Sequence, residues 1–448
     1  MPQDSYSNWQ PLLLDQVSIE TLRSPAYRRF IHEAAIVPGC RLLLERSRRR
    51  PDWPYVETKF NPNTGRDLPP EKYALVHTWF LGRGSEALDD HLRRLDSIEG
   101  FSGEERVAVR ELFGRLVANM TQTLVALAGR HHGRIPFRVN RDLAAIDAQG
   151  RPAATDATKV SAADIFAVKG LLSNADPAVQ RRALELLQRA VALIRLDRYE
   201  VEQAAAPSNR RGHGMRMLMQ GVGACFSRKA LDPAARDAAL AIAAVMLAEA
   251  LDAHFDPATA VFSEYVDRAT GERDALLDPG HANELAGLGL GLIDCLAHSS
   301  LATRHAALID RARRDLPRLL LKSTALGYNA RQPGIYKSVD NRTGDPIDNG
   351  MPWWNLPETM RAAAYSLAVA ATDAQRAQLL EIFRLSHNAY FANYPNRALM
   401  LFPFQTLDGA TGKVVDVVPA VPEGDPLYHA NGAFLDMLDV LNKPQAAD

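Results

Sequence analysis

Apolar residues recur at three- and four-residue intervals along most of the chain, the spacing that lays a single stripe down an α-helix. Glu104 to Gly129, Pro177 to Leu193, Ala234 to Ala253, Glu284 to His298, Thr303 to Leu320, Pro357 to Ala371 and Asp373 to Ala392 all carry it. The segment Ala234 to Ala253 is apolar nearly all round, as expected for a helix buried on more than one side. Gly, Pro and Asp punctuate the intervals, and at least ten helices are predicted in all.

A second pattern recurs between the helices. Asn61-Pro-Asn-Thr-Gly65, Asp147-Ala-Gln-Gly150, Asp267-Arg-Ala-Thr-Gly271, Asp340-Asn-Arg-Thr-Gly344 and Asp408-Gly-Ala-Thr-Gly412 each follow a stretch able to extend, such as Val261 to Val266 or Leu401 to Phe404. Asp or Asn opens such a turn by bonding its own backbone, and Gly supplies positive φ. Five short hairpins between helix pairs are what a ring of helical hairpins with β-insertions on one rim leaves in a sequence. No low-complexity linker divides the chain. The Ala/Pro stretch Ala204 to Pro207 is the one boundary candidate, and helices of the same character flank it. Residues 1–448 therefore read as one domain, with 1–50 as an N-terminal extension.

Composition narrows the partners. With 448 residues, 47% of them hydrophobic and 23% charged, the chain can bury a large core without staples. A formal net charge of −1 gives no basic surface for phosphates, so no nucleic-acid partner is expected, and Arg48 to Arg50 reads as a solvated face. Cys40, Cys225 and Cys295 show neither disulfide nor metal-ligand spacing, which suits a reducing compartment. Met1 to Gln10 lacks the basic-then-apolar order of a secretory signal, and no run is long enough to cross a membrane. A cytoplasmic protein, an enzyme by its size, is the expectation.

Three segments can carry chemistry. In Leu277 to Ala286, Asp278 and Pro279 favour a helix start, so His281 falls in the first turn with Glu284 three residues on, sharing a face. The positive end of that helix should lower the imidazole pKa and keep a neutral base near pH 7. In Asn349 to Met360, adjacent Trp353 and Trp354 offer an apolar platform for the C–H faces of a sugar, with Glu358 in the next helix turn. In Gly424 to Gly432, His429 stands at a loop-to-helix junction before the short helix Ala433 to Leu441. The plain alternatives are a helix cap, core tryptophans, an N-terminal-turn glutamate and structural histidines.

Taken together, these segments resemble the N-acylglucosamine 2-epimerase superfamily, which includes mannose isomerases, cellobiose 2-epimerases and sulfoquinovose isomerases. The carrying residues are Pro279-Gly280-His281-Ala282-Asn283-Glu284, Trp353-Trp354-Asn355-Leu356-Pro357-Glu358 and Tyr428-His429, in the same order and spacing. Ser161 to Gly170 and Trp79-Phe-Leu-Gly-Arg83 fit two further family segments, and the likeness spans roughly Tyr73 to Leu441. It implies an all-α fold, an (α/α)6 barrel with short β-hairpin insertions on one rim. It also implies a sugar 2-epimerase or aldose–ketose isomerase acting on a free mono- or disaccharide through a cis-enediolate. His281 and His429 would be the acid–base pair and Arg83 the support for the oxyanion. Glu284, Glu358, Trp353, Trp354 and His213 would contact substrate or orient the histidines. A homodimer is the family-based expectation.

One stretch departs from the family. His213 lies in Asn209 to Gln220, but the carboxylate expected after it reads as Met219 or Gln220, and Arg210, Arg211 and Arg216 crowd the same turn. That raises an anionic sugar as substrate, with a solvated basic turn as the plain alternative. Two rival functions remain: an α/α-barrel glycoside or unsaturated-uronide hydrolase using Asp278, Glu284 and Glu358, and a non-catalytic sugar-binding relative. No dinucleotide fingerprint, phosphate-cradling loop or metal-ligand spacing occurs, so neither cofactor nor metal is expected.

Overall fold

The computed structural model describes residues 6–200, 209–418 and 423–443; the Ala204 to Pro207 boundary candidate lies outside them. Fourteen α-helices follow in order: α1 (Ile19–Arg23), α2 (Pro25–Ile31), α3 (Val37–Arg49), α4 (Thr78–Arg94), α5 (Gly103–Arg130), α6 (Ala162–Leu171), α7 (Pro177–Arg195), α8 (Gly214–Lys229), α9 (Pro233–His254), α10 (Pro279–Ala297), α11 (Ala306–Gly327), α12 (Asn355–Leu367), α13 (Asp373–Asn393) and α14 (Ala433–Asn442). The even-numbered helices from α4 to α14 pack side by side as an inner ring, closed where the π-helical turn Tyr428–Gly432 meets α4. Helices α5, α7, α9, α11 and α13 each pack outside the inner helix before them, and α1 to α3 pack beside α14 and its π turn. This is the (α/α)6 barrel.

The sequence explains which helices go inside. Helices α6 and α10 bury almost every residue, whereas α7 and α11 bury one stripe and expose the rest. Ring closure also demands small residues. A Cβ at Gly82 of α4 would lie 2.3 Å from the Phe166 carbonyl group of α6, and one at Gly170 would lie 2.8 Å from the Cα of Gly82. Gly82→Ala should therefore destabilise the fold by ~1–3 kcal/mol through overpacking, read as a lower denaturation midpoint; an unchanged midpoint would show that α4 and α6 can separate freely.

Connections from inner to outer helices are short, while those from outer to inner helices carry every strand pair. Residues 76–77 pair with 138–139, 160–161 with 199–200, 210–212 with 265–267, 276–277 with 339–340, and 350–352 with 406–408. Each pairing links neighbouring insertions, giving a belt of small sheets on the rim where the inner helices begin. All five expected turns form, with Gly271 and Gly412 at φ 75° and 70°. A sixth, Asp256 to Ala260, closes a bridge between Phe255 and Phe262 with Ala260 at φ 58° in the place glycine takes elsewhere. No described helix is long and apolar enough to cross a membrane.

Candidate active site

The inner helices start at the hairpin rim, so six helix N-termini, with their positive dipole ends, surround the barrel mouth. His281 is the third residue of α10. Asp278 caps that helix, its side chain accepting from the His281 backbone N–H at 3.1 Å. The imidazole Nδ1 lies 3.2 Å from Glu264 Oε1 and 3.3 Å from Asp278 Oδ2. Lys337, at the start of the next hairpin, bonds Asp278 in turn and stands 5.6 Å over the Trp354 ring.

Burial opposes charge on His281, yet Asp278 and Glu264 outweigh it and raise the imidazole to about 9. This reverses the sequence expectation of a neutral His281: two carboxylates at contact distance overcome the helix dipole. Because the folded value exceeds the ordinary ~6.5, the ion pair stabilises fully below that pH and is lost as pH rises through about 9. Glu264→Gln should move the His281 titration down towards the ordinary imidazole value, as followed by NMR. A midpoint that stays near 9 would assign the shift to Asp278 alone.

Glu264 was not legible as a site residue. It sits just ahead of the strand Tyr265–Asp267 and bridges His281 to His213, whose Nε2 is 3.1 Å from its second oxygen. Burial disfavours its charge, but the two imidazoles hold it well below the usual carboxylate range. Glu264 thus supplies the carboxylate that His213 lacks on its own helix. Met219 is fully buried core, and Gln220 turns its amide onto the Arg216 carbonyl. The local signal was one glutamate within an apolar, extended stretch.

A second cluster lies deeper. His429 occupies the π turn ahead of α14, following Leu427 at φ 68°. Its Nδ1 is 3.1 Å from Glu358 Oε1, and Glu358 Oε2 is taken by Arg361. With Glu358 ionised, Nδ1 carries the proton and Nε2 keeps its lone pair. Burial, then Arg83, push His429 down to about 4, while burial, partly offset by Arg361, raises Glu358 to about 7. Glu284 joins this cluster, one oxygen buried without a partner. It thus separates from His281, with which it shares a helix face.

Trp354 joins the two histidines. Its ring lies 5.6 Å from that of His281 and 5.4 Å from that of His429, tilted by 36° and 35°. Trp353 is anchored instead, its indole N–H donating to Gln405 Oε1 at 3.1 Å. Arg83, in the second turn of α4, stacks between the rings of Trp79, Phe166 and Tyr428 at 4.3–4.8 Å and makes no ion pair among the described residues. The arginines near His213 are all paired: Arg210 with Asp274, Arg211 with Asp197, and Arg216 with Glu249 and Asp197. Their charge is already matched, so these arginines supply no free cationic site for an anionic sugar.

Two trios, His213–Glu264–His281 and Glu284–Glu358–His429, bring possible metal-ligand atoms within 4.8 Å of one another. Lys337 on Asp278 and Arg361 on Glu358 place a cation beside each, which opposes a metal ion there.

No family model and no curated protein matches the sequence. Solved structures do match. Cellobiose 2-epimerase from Bacillus thermoamylovorans superposes with a TM-score of 0.64 at 12% identity, over 94% of this chain and 99% of that one. The fold is that of the sugar epimerases. A D-mannose isomerase gives a TM-score of 0.59 at 13% identity, covering 93% of this chain and 98% of its own. An unsaturated glucuronyl hydrolase from Streptococcus agalactiae reaches 0.50 at 14% identity over 97% and 98%. The architecture is shared across both groups, so function rests on the site.

Proposed function

We propose that the protein is a sugar 2-epimerase or aldose–ketose isomerase that works through a cis-enediolate. The observation that carries this reading is the pair of imidazoles resting on one indole, each backed by its own carboxylate. C2 chemistry on an open-chain aldose needs a base for the C2 proton, an acid for its return, and charge stabilisation at O1. Neutral His429 offers Nε2 as the base and the His281 imidazolium is the acid. Arg83, with no carboxylate at ion-pair distance among the described residues, meets the charge developing on O1. The ring of helix N-termini adds to that field.

Return of the proton to C1 gives a ketose; return to the opposite face of C2 gives the epimer. Trp354 forms the floor on which the sugar's C–H face packs. The balance of charges around the mouth, with Lys337 matched by Asp278 and Arg210 by Asp274, suits a neutral sugar. A chromatographic screen of neutral aldoses, ketoses and disaccharides tests this. Formation of an epimer or ketose supports it; release of a shorter reducing sugar from an oligosaccharide would instead support the hydrolase.

A further inference from the structure

To the carboxylates behind it the His281 ring offers one N–H, at Nδ1, and two acceptors stand ready to take it. Glu264 Oε1 lies 3.2 Å away in hydrogen-bonding geometry, and Asp278 Oδ2 lies 3.3 Å away. One hydrogen cannot serve both at full strength. Asp278 has the local advantage, since it caps the same helix turn and its Oδ1 already accepts from the His281 backbone N–H. A ring drawn to its own cap would turn from Glu264 and carry Nε2 with it. That nitrogen makes no bond among the described residues and is the one left for substrate.

Lys337 settles that competition. Its Nζ bonds Asp278 Oδ2, the same oxygen that approaches His281. The hairpin holds the ammonium in place: residues 339–340 pair with 276–277, just ahead of Asp278, and the Lys337 backbone N–H donates to the Gly350 carbonyl at 2.7 Å. The ammonium also lies 5.6 Å over Trp354, whose ring is 5.6 Å from that of His281. The side chains of Lys337 and His281 are each 32% exposed, so the arrangement sits at the mouth and not in the core. Among the described residues, the next titratable neighbour of the ring is His213, 5.9 Å away and bonded to the other Glu264 oxygen. Around Lys337 itself stand Glu264, Tyr265 and Asp348.

We infer that Lys337 is a positioning residue for proton transfer: by holding Asp278 Oδ2 it leaves the His281 Nδ1–H to Glu264 and keeps Nε2 turned to the substrate. The inference rests on the acid–base reading of His281 above and names what aims that acid. The charge acts in the same sense. An ammonium beside the ring partly offsets the two carboxylates, so His281 is a stronger acid than those carboxylates alone would leave it. Without Lys337, Asp278 would claim the Nδ1–H as well. The imidazolium would then be held more tightly and its proton would return to carbon more slowly.

Lys337→Met removes the ammonium and keeps an aliphatic stem beside Trp354, whereas Lys337→Arg keeps the charge. In the full-length protein without substrate, the His281 titration is followed by NMR. Lys337→Met should raise its midpoint above the wild-type value by roughly half a pH unit or more, and Lys337→Arg should restore it. With a sugar that turns over, Lys337→Met should lower kcat at neutral pH by roughly threefold to tenfold and move the alkaline limb upwards by the same interval. KM should stay within about twofold of wild type. Should Lys337→Met fail to fold, the neutral Lys337→Gln must show the raised midpoint. A midpoint equal to or below the wild-type one in the folded variants would overturn the inference. So would a KM that rises while kcat and the alkaline limb stay put, which would make Lys337 a substrate contact. A raised midpoint in a protein that turns over no sugar would retain the hold of Lys337 on Asp278 and refute the acid–base reading, so the two fail separately.

Discussion

Replacing His429 with asparagine is expected to lower the rate of C2 proton removal by ~10²–10⁴, the range for losing a positioned base, with the denaturation midpoint little changed. Asparagine can still donate to Glu358, so the loss isolates the missing Nε2 lone pair. Burial, then the Arg83 charge, hold His429 down at about 4. Charge developing on the enediolate offsets Arg83, so that part of the depression fades and the imidazole becomes a stronger base. The pH profile follows with its sign fixed. The His429–Glu358 pair sets the acid limb, since protonated His429 has no lone pair to offer. His281, needed as imidazolium, sets the alkaline limb near 9. A variant retaining wild-type turnover, or an alkaline limb absent up to pH 10, would sink the assignment.

Arg83→Met should cost ~10²–10³ in kcat, as expected for removing a donor aimed at an oxyanion, with a smaller change in KM. Methionine keeps the aliphatic contact with Trp79, Phe166 and Tyr428 but removes the charge. Lysine should not restore activity, because an ammonium cannot stack as a plane between those rings. Removing Arg83 also removes a charge that depresses His429, so the acid limb should shift upwards. Activity within about threefold of wild type, with an unmoved acid limb, would show that Arg83 is only structural.

What could be read from the sequence was local. The five hairpin turns were visible because Asp or Asn at the start and Gly at the end act through their own backbone. The sixth escaped because Ala260 takes the left-handed conformation that glycine takes in the others. The helix beginning at Thr303 in the sequence reading starts at Ala306 and runs on past Leu320 to Gly327. Its end is set by tertiary contacts: Ser323 and Thr324 are buried against Asn283 of α10. At the site, His281 declared itself through the Asp278 cap, a three-residue relation. Glu264 lies 17 residues from His281 and 51 from His213, and the pairing of residues 210–212 with 265–267 sets it beside His213. The direction of the His281 shift was missed for the same reason, since neither the Glu264 contact nor the Asp278 side-chain approach follows from helix polarity.

Proton NMR of a neutral aldose incubated with the protein in D₂O tests the central claim most directly, with His281→Asn and His429→Asn variants alongside. The C2 proton signal should disappear, an epimer or ketose carrying solvent deuterium should appear, and both variants should leave the sugar unchanged. A C2 signal that persists while an oligosaccharide is cleaved, or exchange that continues undiminished in both variants, would contradict it.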